Sequence, residues 1–581
     1  MYEYFAAEMR LLQEEVQKFA QRYPEQAGFL HPNKAKGRDP HIERLLEGVA
    51  FLNGHIRRRI EDDLPDICET LLQQLWPQFL RPLPSITILQ FLPRPGLLQQ
   101  SYELPRGTEV ISAPVGQEKV NCYFRTTAAT IINPLEIKEF KITPVITGGS
   151  VFRITLGTDH DLPVEKLHLS ELKFFLYGEP MSVLEIYHAL IGSTRQVRIS
   201  WPELPGQSVL LLGGQEVVTP AQLTIEELTL PSDERNFLGF QLLLEYFSWR
   251  EKFLFITVGQ LGKIIWPANC RKFDLEIHSS VGFSNEMALT SNILQLHCAV
   301  AVNLYQTTSE PIHYDFTKTE YPIIASNSTK EGICLYSVDA VHGIDSKNGI
   351  RFDYDPLHAF AYQAEPSLHY TTYTRKNADI YPDTFLTLSN LKSNQKQLSS
   401  EHVSCTITVC NGHYPYHYLK EHSITRAGPK VPTFISVSNL TKPSAMSLPP
   451  DKSYFRWFFI AHLSLNYRSL AEAPTLKRLL ELYDWTGRLD NQRRRQAIRE
   501  VSLQPVMKIH NGIIKHGVEY CITIQEEGFL SFGDIFLFGT VLQNFISMYS
   551  TFNCFSRVKV ICYPSQREYK WPANYRCNPP T

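Results

Sequence analysis

The sequence predicts an α+β chain: an N-terminal helical region, then β-rich, mostly antiparallel domains, then a mixed C-terminal domain. Three observations carry this reading. A heptad stripe opens the chain, and beyond Ser85 the apolar period changes to two. Short β-branched or aromatic runs then recur between Pro- and Gly-bearing turns, interrupted by a few helical patterns.

Tyr2, Phe5, Met9, Leu12, Val16, Phe19 and Tyr23 recur at spacings of 3, 4, 3, 4, 3 and 4, with mostly Glu, Gln, Lys and Arg between them. This is an a/d seam on one helix face. A helix of this length is marginal alone, so the seam must pack, on its own domain or in a bundle shared with other chains. The spacing leaves both open. Pro24 ends the pattern. Asp39-Pro40 then reads as an N-cap with proline at the first helical position. Ile42, Leu45, Leu46, Val49 and Ile56 continue an apolar face, and Arg57 to Asp63 forms a self-paired charged surface. A third helical stretch, marked by Ile67, Leu71, Leu75 and Phe79, stops at Arg81-Pro82-Leu83-Pro84.

Beyond Ser85, Val120, Cys122 and Phe124 alternate with Asn121, Tyr123 and Arg125, as in a half-buried strand. Further strands are expected at 86–92, 209–212, 253–258, 293–304, 405–410, 518–523 and 557–562, and helices at 181–191, 475–485 and 534–549. The Pro- and Ser-rich stretch 441–453 reads as a linker. The expected organisation is a helical region over 1–84, β-rich domains over 85–280 and 281–440, and a mixed domain over 441–581.

A length of 581 residues buries large cores without disulfide or metal staples. The net charge of -2 supplies no global field for nucleic acid or an anionic membrane, so neither is an expected partner. The 11 cysteines are scattered, odd in number and without a Cys-x-x-Cys, which fits reduced thiols in a cytoplasmic protein. The first residues show no signal peptide, and the most apolar runs, such as Trp457 to Leu465, are too short to span a bilayer.

Chemistry-bearing groups are few. Cys405, Cys410, His413 and His417, with His422 nearby, are the best zinc candidates. Only two residues separate Cys410 from His413, against about twelve between the pairs of a usual finger. Cys405 and Cys410 also fall on opposite faces if they share a strand. Asp353 and Asp355 offer two carboxylates to a cation, but acids ahead of a proline more often make a turn. His462, among apolar residues, reads as a core histidine. Asp62 and Asp63 are adjacent and face apart on a helix. No phosphate loop, nucleophile elbow, zinc-protease or dinucleotide motif is present, so no catalytic, cofactor or metal residue is assigned.

Several segments, in order, resemble the TssF family, also called VasA or ImpG. The head carries Asp39-Pro40-His41-Ile42-Glu43-Arg44-Leu45-Leu46-Glu47-Gly48, Asp62-Asp63-Leu64-Pro65 and Leu80-Arg81-Pro82-Leu83-Pro84-Ser85. The middle carries Leu243-Leu244-Glu245-Tyr246-Phe247, Glu251-Lys252-Phe253-Leu254-Phe255, Val302-Asn303-Leu304-Tyr305, Glu310-Pro311-Ile312 and Glu320-Tyr321-Pro322. The end carries His462-Leu463-Ser464-Leu465-Asn466-Tyr467, Leu479-Leu480-Glu481-Leu482-Tyr483-Asp484 and Asn553-Cys554-Phe555.

This resemblance implies a non-enzymatic wedge subunit of a type VI secretion baseplate. Its partners would be TssG, TssK, TssE, the VgrG hub, the TssB–TssC sheath and a second copy of the chain. The implied place is the cytoplasm, at the inner face of the cytoplasmic membrane through the baseplate. The resemblance favours the shared-bundle reading of the Tyr2–Tyr23 seam. The chain departs from the family pattern at Ser248-Trp249-Arg250, at Cys410-Asn411-Gly412-His413 and at His516-Gly517, which puts partner specificity at those loops in doubt. Two rival readings are a β-rich binding module for glycan or peptide and a metal-dependent enzyme built on the candidates above.

Overall fold

The computed structural model describes most of residues 5–18, residues 44–55, most of 69–75, and residues 76–573 apart from short segments, the longest being 284–291, 358–367 and 391–400. The chain divides into two compact units, Met1–Leu80 with Pro450–Leu465, and Arg81–Pro449 with Asn466–Thr581.

The first unit is helical at every described position of 5–18, across 44–55, at the described positions of 69–75, and over Ser453–His462. Pro77 stops the third stretch, leaving a 3-10 turn at Pro77–Leu80. Aromatic side chains form its nucleus. Phe79 stacks on Phe459 at 4.4 Å between ring centroids, and Trp76 lies 5.1 Å from Phe79 and 5.7 Å from His462.

The second unit is a set of sheets. Ile86–Pro93 is the backbone of a six-stranded sheet, antiparallel to Cys298–Val302 on one side and Ile435–Asn439 on the other. Its first six residues are all buried, as a strand covered on both faces requires. An eight-stranded sheet is organised around Cys334–Asp345 and Glu401–Cys410, which pair antiparallel. Val341, Leu386, Val403, Ile407 and Val409 fill its core. Five- and four-stranded sheets complete the middle of the chain. Among the described residues only two strand pairs are parallel: Arg351–Pro356 with Leu368–Arg375, and Ile513–Gln525 with Cys554–Tyr563. The α+β, mostly antiparallel expectation therefore holds.

A buried asparagine pair ties the two largest sheets. Asn303 follows Cys298–Val302 in one sheet, and Asn411 follows Glu401–Cys410 in the other. The Asn303 amide donates to the Tyr123 carbonyl (2.7 Å) and to Asn411 Oδ1 (2.8 Å), while Asn303 Oδ1 accepts the Asn411 N–H (2.7 Å). Both side chains are fully buried, so these bonds are exchanged away from water.

The C-terminal part of this unit joins the hairpin Ile498–His510/Ile513–Gln525 to Cys554–Tyr563 through the helix Phe532–Met548. That helix is buried on nearly every side, and two glycines permit it. A Cβ at Gly533 would run into the Leu184 carbonyl, and one at Gly539 into the Trp571 ring.

Helices Pro180–Tyr187, Ala473–Leu482 and Phe532–Met548 lie where the sequence pattern places them. The expected strand 293–304 is instead two strands, Leu294–Leu296 and Cys298–Val302, in different sheets. His297 sits between them at φ 57°, and this left-handed residue turns the chain from one sheet to the next. The 441–447 part of the expected linker is pinned rather than free. Thr441 Oγ1 accepts the Ile88 N–H, Ser444 Oγ accepts that of Ile86, and Ser447 pairs with Leu83.

Candidate functional site

Polar chemistry is dispersed in this chain, and exposed apolar surface is concentrated. On the first helix Phe5, Met9, Leu12 and Val16 are half-buried, while Leu11 is exposed. Tyr2, Phe19 and Tyr23 lie outside the described residues. Over 44–55 the helix buries Ala50 and half-buries Leu46 but leaves Leu45, Val49, Phe51 and Leu52 exposed, Leu45 by 68% and Leu52 by 63%. The stretch before Trp76 buries Leu72 and exposes Leu71 and Leu75. On Ser453–His462, Phe459 and His462 are buried, while Trp457 and Phe458 stand out, Trp457 by 57%. Single exposed apolar side chains are ordinary; here several large ones stand on the helices of one small unit.

His462 is the core histidine its sequence context indicates. Burial pushes its pKa down to about 4, and bonds to the Phe459 and Phe458 backbone only partly oppose this. Ring contacts to Trp76 and Phe459 hold it in the aromatic nucleus.

The zinc candidates do not converge. Cys405 faces the core shared by Val403, Ile407 and Val409, and burial lifts its thiol to about 11, away from the thiolate a metal needs. Cys410 does not share that core; it lies opposite Cys334 in the strand register and 3.7 Å from Met446 Sδ. The His413 N–H donates to the Tyr381 hydroxyl (2.9 Å), and the His413 and His417 rings are 6.1 Å apart. The His422 N–H donates to the Asn439 carbonyl. Among the described residues no three His, Cys, Asp or Glu side chains gather in metal-binding geometry. Asp353 and Asp355 sit in the strand Arg351–Pro356 rather than in a turn, and Asp353 meets His342 Nδ1 at 2.6 Å on the exposed surface. Asp62 and Asp63 lie outside the described residues.

The segment Leu243-Leu244-Glu245-Tyr246-Phe247 belongs to a helix, Leu238–Ser248, that sequence periodicity missed because ten of its eleven residues are buried. The visible signal was one carboxylate inside an apolar run. Glu245 is fully buried. Its Oε1 accepts the N–H groups of Thr229 (2.9 Å) and Leu230 (3.3 Å) and the Gln241 amide (2.9 Å), and its Oε2 pairs with Lys252, also fully buried. The Glu of Leu-Glu-Tyr-Phe and the Lys of Glu-Lys-Phe are thus one interior ion pair. Trp249 is buried beside it, and Arg250 reaches Asp534 Oδ1 at 3.4 Å.

A second charged cluster follows. Asp534 Oδ2 accepts from Arg494 Nε (3.0 Å), Arg494 also binds Asp490 (2.9 Å), and the Asn491 amide donates to the Phe247 carbonyl (2.9 Å). Burial raises the Asp534 carboxyl above its ordinary value, and Arg250 works in the opposite direction. These groups fasten three helices: Leu238–Ser248, Leu489–Gln496 and Phe532–Met548. They are internal braces.

Comparison with known proteins gives a consistent result. The family model described as "Type VI secretion system, TssF" matches residues 1–577. The type VI secretion system component TssF1 of Pseudomonas aeruginosa is 25% identical over 625 aligned residues, covering 99% of this chain and 98% of the relative. A chain of the type VI secretion TssK-TssF-TssG baseplate subcomplex, seen by cryo-electron microscopy, superposes with a TM-score of 0.79 at 30% identity, covering 93% of this chain and all (100%) of the other. A chain of the type VI secretion baseplate complex superposes with a TM-score of 0.61 at 25% identity, with 100% of each chain covered.

Proposed function

The chain belongs to the TssF family of the type VI secretion system, and from that premise we propose that it is a structural wedge subunit of the baseplate with no catalysis of its own. The observation that carries this reading is the row of large apolar side chains left bare on the helices of the first unit. An assembly subunit covers such surface against its partners. TssG and TssK are the immediate partners, since the similar solved chain sits in a complex with both. TssE, the VgrG hub, the TssB–TssC sheath and a second copy of the chain complete the assembly, which forms in the cytoplasm and docks at the inner face of the cytoplasmic membrane. No helix among the described residues is long and apolar enough to cross a membrane. A glycan- or peptide-binding module is not favoured, because the resemblance runs through the whole chain.

Covering one Leu, Val or Phe side chain is worth about 1.5–3 kcal/mol, against an association cost of roughly 4–15 kcal/mol. Several side chains of the seam must therefore act together. Phe5→Asp with Leu12→Asp should abolish co-purification with TssG while the β-rich unit keeps its circular dichroism. Because Phe5 and Leu12 are already half-buried, Leu45→Asp with Leu52→Asp provides a pair whose side chains the isolated chain leaves in water. Retention of TssG by both double variants would refute the helical assembly surface.

A further inference from the structure

Where the chain passes from a four-stranded sheet to the six-stranded one, the turn at His297 borders a cavity of about 130 Å³. One water needs only about 10–15 Å³, so the space is large enough for a small organic group. Its walls include the ribbon Tyr102–Leu104/Thr130–Ile132, the strands Leu172–Leu176 and Cys298–Val302, and the turn at Gln222 that follows Val218–Pro220. Gln222 is the unusual member. Its backbone is left-handed, at φ 64°, a conformation that non-glycine residues rarely adopt. The residue is only 5% exposed, and its Oε1 has no hydrogen-bond partner among the described residues. A buried oxygen left without a donor is costly, so this wall calls for a donor from outside the chain.

The surrounding charges call for the same kind of ligand. Glu103 and Glu171 also line the cavity, and neither carboxylate has an ion pair or side-chain hydrogen bond among the described residues. The Lys173 ammonium is already committed, 3.0 Å from Glu227 Oε1. The Asn133 N–H donates to His297 Nε2 (3.2 Å), and burial pushes the His297 pKa down to about 4, so this ring is neutral near pH 7. What remains uncommitted is Gln222 Oε1 and two carboxylates. We propose that the cavity is a binding site for a guanidinium group, with Gln222 Oε1 accepting one of its N–H groups at the buried end and Glu103 and Glu171 compensating its charge. A guanidinium carries several donors and no acceptor, and it is more weakly hydrated than an ammonium, so it suits a wall of acceptors in a largely buried space. Ile131, exposed by 46% on the cavity wall, offers apolar surface to a methylene stem. An anion finds no uncommitted cation here. A metal ion is disfavoured because, among the described residues, no three His, Cys, Asp or Glu side chains gather for one. Water satisfies Gln222 but brings no charge to the carboxylates. The guanidinium arrives either on an arginine side chain of another polypeptide or on a free guanidino compound.

The test is titration of the full-length chain with Nα-acetyl-arginine amide, followed by saturation-transfer NMR. Saturable binding is expected, and the uncharged, similarly shaped Nα-acetyl-citrulline amide should bind at least about tenfold more weakly. Gln222→Asn draws the acceptor back in a residue that tolerates left-handed backbone, and should weaken the arginine compound about tenfold. Glu103→Gln with Glu171→Gln, away from the buried end, should weaken it to a similar degree while leaving the urea midpoint unchanged. No saturable binding to the native chain, equal binding of the citrulline compound, or unchanged affinity in both variants would overturn the site and leave the baseplate reading untouched. The source is read separately. A crosslink from Ile131→p-benzoylphenylalanine, in cells that express the secretion system, to an arginine-bearing peptide of another protein assigns the site to a partner. A guanidino compound retained by the native chain in native mass spectrometry, and lost from the double glutamine variant, assigns it to a free ligand.

Discussion

Replacing Lys252 by methionine removes one ammonium and almost none of the volume around it, so it isolates the buried charge. In the native protein Lys252 and Glu245 are both fully buried and paired with each other. After the change Glu245 keeps the donors from Thr229, Leu230 and Gln241, which hold a negative charge in place with no cation beside it. Breaking a buried pair from one side costs about 3–5 kcal/mol, and the three remaining bonds put the expectation at the lower end, about 3 kcal/mol. Neutralising both partners, Glu245→Gln with Lys252→Met, should cost less than the sum of the single changes. The substituted amide would still accept from the two backbone N–H groups, so a coupling of about 2 kcal/mol is expected from the cycle. The assay is urea unfolding of the full-length chain followed by tryptophan fluorescence, with buried Trp249 reporting on this helix. A loss below about 1 kcal/mol for Lys252→Met, or single changes that add within about 0.5 kcal/mol, would refute the account.

Asn303→Leu should destabilise by about 2–4 kcal/mol, because it strands the buried Asn411 N–H and Tyr123 carbonyl at once; a change under about 1 kcal/mol in urea midpoint analysis would mean the two sheets are held by packing alone. Acid should weaken the second unit through His188 and His297, which burial pushes down to about 4. Their folded values lie below the unfolded one, so the contribution is complete above about pH 6.5 and is lost as pH falls toward 4, by about 3 kcal/mol for each group. A urea midpoint that stays level from pH 7.5 to pH 5 would contradict this.

What the sequence disclosed, and what it withheld, follows from how each element is buried. Where burial is one-sided the residue pattern is periodic and the element can be read: Leu476, Leu479, Leu480 and Tyr483 trace one helix face, and all four are buried. Where burial is complete the period vanishes. Leu238–Ser248 escaped notice for that reason, and the position of Glu245 within it looked like a family letter rather than half of an interior ion pair. The helix Leu489–Gln496 failed for the opposite cause: three consecutive arginines hide any apolar face, although Arg494 itself is buried on Asp534. The same reasoning separates the two apolar surfaces. The spacing from Tyr2 to Tyr23 predicts a stripe on its own, and its described members Phe5, Met9, Leu12 and Val16 lie half-buried on a helix. The bare end of the hairpin Ile498–His510/Ile513–Gln525 gives no such signal, since Pro505, Lys508, His510 and Lys515 break any strand pattern, and only the register shows Met507, Ile509 and Ile514 to continue a core face. Sequence periodicity identifies faces that must be covered; the structure is needed to say which of them the described residues leave bare.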